Sequence, residues 1–346
     1  MAPIIRECQA RGVDFFVLHT GQHYDLNMDR QFFSDLNLPT PTYNLGLGGH
    51  PHRQQVGLMI KAVRAVLEHE RPSWVVVQGD TTSVLAGALA ANKLGIPVAH
   101  HEAGLRSHDP TMLEETNRIT TDHVSDRLFA PTPTAYDNLI TEGYAPERII
   151  YTGNTVVDAV SQHQALAQST SRIVSELMLI PKQYLFATVH RAENVDHPDR
   201  LRSILQGLAL THQLTQLPII WPIHPRAQHR LAEFRLSLPA GVRGVPPVGY
   251  LDSLQLQAQA RMSLTDSGGI QEESCILGTP CVTLRDNTER PETIDIGANV
   301  LVGTDPGAIM RGVQTMLNQP SNWPNPFGDG QAAARIVDNL THHPAR

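Results

Sequence analysis

A chain of 346 residues and 38.1 kDa is too long for one small core and about the length of two domains. Apolar residues make up 41% and charged residues 18%, spread from end to end, which excludes a disordered chain; a net charge of -7 without any block of like charge argues against a nucleic-acid surface. Three scattered cysteines, Cys8, Cys275 and Cys281, exclude a disulfide framework and a CxxC zinc or redox pair, and no apolar run reaches the roughly 18 residues a membrane span needs, so a cytoplasmic protein with no metal and no membrane partner is expected.

In chain order, 14–18, 74–77, 96–99, 127–130 and 149–151 read as short apolar strands with helical patterns between them. A second series follows at 184–189, 219–223, 262–265, 281–284 and 299–302. Strands alternating with helices predict parallel sheets, so the expected fold class is α/β, with two Rossmann-like doubly wound domains facing a cleft. The polar, Gln/Ser-rich stretch near 156–182 separates the two series, which sets the domains at 1–157 and 158–330. A last helix near 331–339, within 331–346, is left to pack on either half, back on the N-terminal domain in one reading. Ligands of such sheets bind at the carboxyl ends of strands. The polar clusters of this sequence lie there.

V-V-V-Q-G-D-T-T-S at 75–83 sets Asp80 after a strand and a glycine turn, either as a helix cap or as an acid/base group. H-H-E-A-G-L-R-S-H-D at 100–109 and L-E-E-T-N-R at 113–118 interleave Glu102, Glu114 and Glu115 with Arg106 and Arg118, as surface ion pairs or as carboxylates whose neighbours split their pKa values. His100 and His101, adjacent on a strand, point to opposite faces and make a poor metal pair. A-T-V-H-R-A-E-N-V-D at 187–196 offers His190 to titrate near neutrality and Arg191 to hold a phosphate; W-P-I-H-P-R at 221–226 aims His224 from a turn stiffened by prolines.

The sharpest segment is T-D-S-G-G-I-Q-E-E-S at 265–274, between a strand and a helix. Ser267, Gly268 and Gly269 present small side chains and backbone N–H groups at a helix start, suited to a phosphate, while Glu272 and Glu273 one turn in are placed to reach ribose hydroxyls. An ordinary N-cap accounts for the same residues. R-D-N-T-E-R-P-E-T at 285–293 adds Arg290 and its neighbours as a loop for a diphosphate or sugar, or as a plain polar loop. Lys61, Lys93 and Lys182 are the only lysines among 27 basic residues, which makes Schiff-base chemistry a poor expectation.

These strings, in this order, resemble the non-hydrolysing UDP-N-acetylglucosamine 2-epimerase family. The likeness also takes in H-T-G-Q-H-Y-D at 19–25, N-T-E-R-P-E-T at 287–293 and N-P-F-G-D-G-Q-A-A at 325–333, so it covers nearly the whole chain. It implies a GT-B-like fold with a UDP-sugar in the cleft. It carries the catalytic carboxylates onto Asp80, Glu102 and Glu114, the catalytic histidine onto His190, and nucleotide contacts onto Ser267, Gly268 and Glu273, with Arg118 and His224 bordering the phosphate or sugar. It further implies a homodimer and supply of sugar for cell-envelope or capsule polysaccharide; no cofactor is expected, on the chemistry that follows.

The chemistry agrees with the residue types. The C2 proton of an N-acetylhexosamine has no neighbouring carbonyl, so epimerisation needs oxidation or loss of the C1 substituent. No G-x-G-x-x-G closes a strand and opens a helix for a nicotinamide. Elimination of UDP to 2-acetamidoglucal and its re-addition remain, and they need acid/base groups on both faces of C2 with positive charge on the departing diphosphate.

The sequence departs from the family at three places. It opens at M-A-P-I-I, which resembles the middle of the family's G-T-R-P-E-A-I-K-M-A-P start. A misassigned start is the expected reading, and a real loss of that strand would leave a non-catalytic UDP-sugar-binding protein. Asp25 replaces a glutamine of the family's allosteric site, so activation by substrate is not expected, and Leu113 replaces a proline. The rival substrate is a modified sugar such as UDP-2,3-diacetamido-glucuronic acid. A hydrolysing epimerase and a GT-B glycosyltransferase stand behind it.

Overall fold

Parallel strands carry both halves of the chain. The computed structural model describes residues 1–21, 33, 36–48 and 52–342, which leaves Asp25 outside the described residues. Two units separate within it, Met1–Ala159 with Phe327–Arg346, and Val160–Pro326.

In the first unit Leu18–His19 (β1) pairs in parallel with Tyr43–Asn44 (β2). Then Val75–Gln78 (β3), Val98–His101 (β4), Arg127–Ala130 (β5) and Ile149–Tyr151 (β6) form a four-stranded parallel sheet in that order. Successive residues of β3 face opposite ways, as a pleated strand requires. Val75 and Val77 join the core under the Thr82–Lys93 helix with Val84, Ala88 and Val98, while Val76 packs with Ala99, Phe129 and Ile4 on the other side. That second face is covered by the Ala2–Arg11 helix and the terminal Ala332–His342 helix, whose Ile336 and Val337 are buried. Asp158 fixes the start of the terminal helix by accepting from the N–H of Ala332 at 3.3 Å and of Ala333 at 3.0 Å.

The second unit holds a six-stranded parallel sheet of Leu185–Thr188 (β7), Ile219–Pro222 (β8), Val242–Val245 (β9), Met262–Thr265 (β10), Cys281–Thr283 (β11) and Asn299–Leu301 (β12), in the order β12-β11-β10-β7-β8-β9. The chain therefore starts in the middle, builds to one edge, and returns to build to the other. This is the dinucleotide-binding order, and its switch point lies between β7 and β10. Ala187, Trp221, Leu264 and Val282 fill the core on one face, and Tyr184, Phe186, Ile220 and Leu256 on the other. Each fully buried leucine, isoleucine, valine or phenylalanine among them contributes about 1.5–3 kcal/mol.

The α/β expectation with parallel sheets holds; β2 lies outside every expected strand, β4 begins two residues later than expected, and two further differences have a plain physical cause. Of the expected strand at 14–18, only Leu18 enters a ladder, because before it the backbone finds, among the described residues, a single inter-strand contact, the N–H of Tyr43 on the Val17 carbonyl at 3.1 Å. Apolar content makes a strand only where a neighbour supplies hydrogen bonds. Conversely, β9 is a strand without the pattern of one: Arg243 and Gly244 are exposed at the sheet edge, so the segment shows no apolar alternation.

Candidate active site

In the first unit, β3 and β4 lie side by side with Gln78 level with His101, so the residues that follow each strand emerge together. Asp80 comes after Gly79, which turns the chain at φ 87, and Glu102 itself lies in the left-handed region at φ 66. A non-glycine residue held there costs about 1–3 kcal/mol, and such strain collects at functional sites. Gly104, two residues on, has φ 78, and a Cβ on it would come within 2.1 Å of the Ala135 carbonyl oxygen, so no other residue fits. Asp122 takes the Gly104 N–H at 3.2 Å, and Glu115 takes the N–H groups of Ser107 at 2.9 Å and His108 at 3.0 Å. These contacts set the loop behind Glu102.

Arg118 joins the two carboxylates. Its Nη2 is 2.6 Å from Asp80 Oδ2 and 3.8 Å from Glu102 Oε2, and the Gln78 amide donates to Glu102 Oε1 at 2.7 Å. The Arg118 side chain is almost wholly buried, yet its Nε and Nη1 have no hydrogen-bond partner among the described residues. A guanidinium has five donors in a rigid fork, so this one retains capacity for an oxygen-rich ligand. Glu114, half-buried, stands one turn before Arg118 in the first turn of the Leu113–Val124 helix, hence on the same face. Leu113 begins that helix at a position where proline is favoured.

In the second unit the polar groups collect beyond β7 and β10, on the two sides of the switch point. Thr188 is level with Thr265, which brings His190 alongside Asp266. Asp266 is fully buried. It accepts from the N–H of His190 at 3.0 Å and of Arg191 at 2.9 Å and from Asn194 Nδ2 at 3.1 Å, and lies 3.0 Å from His190 Nδ1. Burial works to raise its pKa, but these hydrogen bonds and the His190 ring outweigh it and hold the carboxyl below the usual range. The His224 ring lies 5.9 Å from that of His190, held as its Nδ1 accepts the Arg226 N–H at 3.2 Å at the start of the Pro225–Glu233 helix.

Ser267 caps the Gly268–Ile276 helix, its side chain accepting from Ile270 N. The first N–H groups of a helix lack intrahelical acceptors and form a positive end. Arg290 borders this end: a Cβ on Gly268 would lie 3.8 Å from its Nη2, whereas Gly269 is exposed. The expectation that Glu272 and Glu273 both face a ribose changes here. Glu272 is buried and ion-paired with Arg290 Nε, so its carboxylate is already engaged. Glu273 accepts from Gln257 Nε2 at 2.8 Å, and burial pushes its pKa up to about 7 against the hydrogen bonds from Gln257 and Tyr250. Glu289 is the opposite case, since Arg285, bonded to both its oxygens at 2.9 and 3.0 Å, overcomes the effect of burial and holds it far below the ordinary range.

The structure thus gathers Asp80, Glu102 and Arg118 in one group and His190, Arg191 and His224 in another, with Ser267, Gly268 and Arg290 together at one helix start. Sequence reasoning passed over Gln78 and Asp266, although both stand inside quoted strings. A carboxylate between an apolar strand and a capping serine was the available signal for Asp266. No group of three or more histidine, cysteine or acidic side chains among the described residues is arranged to hold a metal ion.

Comparison with known proteins agrees over the full length. The family described as UDP-N-acetylglucosamine 2-epimerase matches residues 6–341. The chain is 48% identical over 348 residues to the UDP-N-acetylglucosamine 2-epimerase of Methanocaldococcus jannaschii, covering 99% of this chain and 95% of that protein. It is 42% identical over 327 residues to the UDP-2,3-diacetamido-2,3-dideoxy-D-glucuronate 2-epimerase of Pseudomonas aeruginosa, covering 94% and 90%. The structure matches that of the M. jannaschii UDP-GlcNAc 2-epimerase in complex with UDP-GlcNAc and UDP with a TM-score of 0.95 at 48% identity, covering 99% and 95%. It also matches the Neisseria meningitidis UDP-GlcNAc 2-epimerase bound to UDP-GlcNAc, with a TM-score of 0.89 at 32% identity, covering 99% and 96%.

Proposed function

The chain belongs to the UDP-N-acetylglucosamine 2-epimerase family, and from that premise we propose that it interconverts UDP-N-acetylglucosamine and UDP-N-acetylmannosamine. A carboxylate or histidine base removes the C2 proton, the C–H electron pair becomes the C1=C2 bond of 2-acetamidoglucal, and the C1–O bond breaks with UDP taking its electrons. A proton then arrives at the opposite face of C2 and UDP returns to C1. No step of this route transfers a hydride, so it draws on no nicotinamide, and activity is expected to persist in a chelator.

Asp80, Glu102, Glu114 and His190 supply the acid and base groups in this reading. Ser267, Gly268 and Gly269 receive the diphosphate at the helix start, Arg191, His224 and Arg290 add positive charge or hydrogen bonds around it, Glu273 takes the ribose, and Arg118 borders the sugar. The observation that carries the reading is the Asp80–Arg118–Glu102 arrangement. Two carboxylates flank one buried guanidinium that has N–H donors to spare, and an amide holds one of them, so two acid/base groups stand beside a cation suited to an oxygen-rich substrate.

Incubation with UDP-N-acetylglucosamine in deuterium oxide tests it. Proton NMR should show loss of the C2 proton signal together with appearance of the manno epimer; retention of the C2 proton overturns the reading. The 42% identity to a UDP-2,3-diacetamido-2,3-dideoxy-D-glucuronate 2-epimerase favours that sugar as a second substrate reading, and exchange with it alone would select it. We further take the enzyme to be cytoplasmic, on its few scattered cysteines, and a homodimer, as the family likeness implies. Sedimentation equilibrium giving a single 38.1 kDa species would overturn the dimer.

A further inference from the structure

Asp80 is held from three directions. Arg118 meets its carboxylate, Asn117 Nδ2 donates to its carbonyl at 2.8 Å, and the peptide group before it is held through the Gly79 carbonyl, which lies 2.8 Å from His100 Nε2. That third contact fixes the plane of the peptide carrying the Asp80 N–H, at a glycine whose φ of 87 leaves the backbone otherwise free to turn. A carbonyl can only accept, so Nε2 is the donor. His100 is fully buried, and its Nδ1 is 2.6 Å from Asp122 Oδ1. Asp122 is itself anchored by Arg106 Nη2 at 2.7 Å and by the Gly104 N–H at 3.2 Å. One buried carboxylate therefore orients the His100 ring and also holds the loop that follows Glu102.

We propose that His100 is a positioning residue for the epimerase reaction, aiming Asp80 by clamping the Gly79 carbonyl from a ring that Asp122 orients. The inference rests on the reading of Asp80 as an acid/base group. A buried ring that merely filled space would need no donor on Nε2, whereas this one spends both nitrogens on backbone and network contacts.

The test separates the two nitrogens. In His100→Asn the short amide reaches toward Asp122 and leaves Gly79 without its donor; in His100→Gln the longer amide restores an N–H toward Gly79 and gives up the Asp122 contact. Misplacing an acid/base group by about 1 Å costs on the order of 100-fold, so His100→Asn should lower kcat by about that factor. Its KM for UDP-N-acetylglucosamine should stay within about threefold, because a group acting only in the transition state affects kcat. His100→Gln should recover at least about tenfold of the lost kcat, although both variants melt below wild type. Two results overturn the proposal: kcat of the two variants falling together in step with melting temperature, or His100→Asn turning over near the wild-type rate. Wild-type enzyme that fails to exchange the C2 proton of either UDP-sugar sinks the epimerase reading instead. Neutron diffraction of the wild-type protein is independent of variant folding and of activity. A deuteron on Nε2 facing Gly79 supports the clamp, and a bare Nε2 overturns it.

Discussion

Replacing Asp266 by asparagine exchanges one carboxylate oxygen for an amide nitrogen and keeps the shape of the side chain. In the native protein the ionised carboxyl accepts from the His190 and Arg191 N–H groups and from Asn194 Nδ2, so His190 Nδ1, 3.0 Å from Oδ1, is the ring nitrogen that carries the proton. In the proposed mechanism Nε2 is then the nitrogen free to act as the base. In Asp266→Asn the amide oxygen can keep the N–H groups on the Oδ2 side, but the amide nitrogen then faces Nδ1 and can only donate. The ring is driven to the other tautomer, with its proton on Nε2. Loss of tautomer control over a general base costs about 10²–10⁴-fold in kcat. Stability should fall by only about 1–3 kcal/mol, since hydrogen bonds to a charged acceptor become neutral ones. The Asp266 pKa lies below its unfolded value, so the carboxyl's stabilising contribution is present above pH about 4 and is lost as pH falls further. The stability gap between wild type and variant should accordingly hold from pH 7 to about 4 and narrow below that, read by thermal unfolding. C2 exchange in deuterium oxide gives the rate. A variant that keeps kcat within about threefold of wild type would refute the assignment of His190 as a base oriented by Asp266.

Gly104→Ala should destabilise the protein by more than about 3 kcal/mol in urea unfolding, because it adds a Cβ 2.1 Å from a backbone oxygen at φ 78. Arg290→Met leaves the buried Glu272 carboxylate without its cation and should cost about 3–5 kcal/mol; adding Glu272→Gln should restore most of it, and an unrestored double variant would contradict the pairing. Glu273→Gln tests the buried carboxyl whose pKa is pushed up to about 7. The unfolded carboxyl ionises near pH 4.3, so wild type loses stability as pH rises from there to about 7 and the variant does not; melting curves that stay parallel between pH 4.5 and 8 would rule this out.

Much of the fold was legible locally. β5 and β10 occupy the stretches whose apolar runs predict them, since a strand buried on both faces needs nothing beyond its own composition to be seen, and β6 does so at the sheet edge with Tyr151 exposed. The stretch at 14–18 and β9 failed in opposite directions, because one has apolar residues with few partners and the other has partners with few apolar residues. The same limit applies to the site. Asp80, Glu102, His190 and Ser267 are visible because each follows a strand, but the partners that orient them are not.

Local pattern and motif order were enough to determine a two-unit α/β chain, its family, and the strand ends where chemistry-bearing side chains gather. Which of those side chains meet was decided by sheet order and register. Gln78 aligned with His101 brings Asp80 and Glu102 to one arginine, and Thr188 aligned with Thr265 sets Asp266 under His190. Such partners lie far apart along the chain, Asp122 by 22 residues from His100 and Asp266 by 76 from His190. Periodicity extends only over a turn or a pleat, whereas hydrogen bonds and charge pairing depend on distances of about 3 Å that only the packed sheets impose.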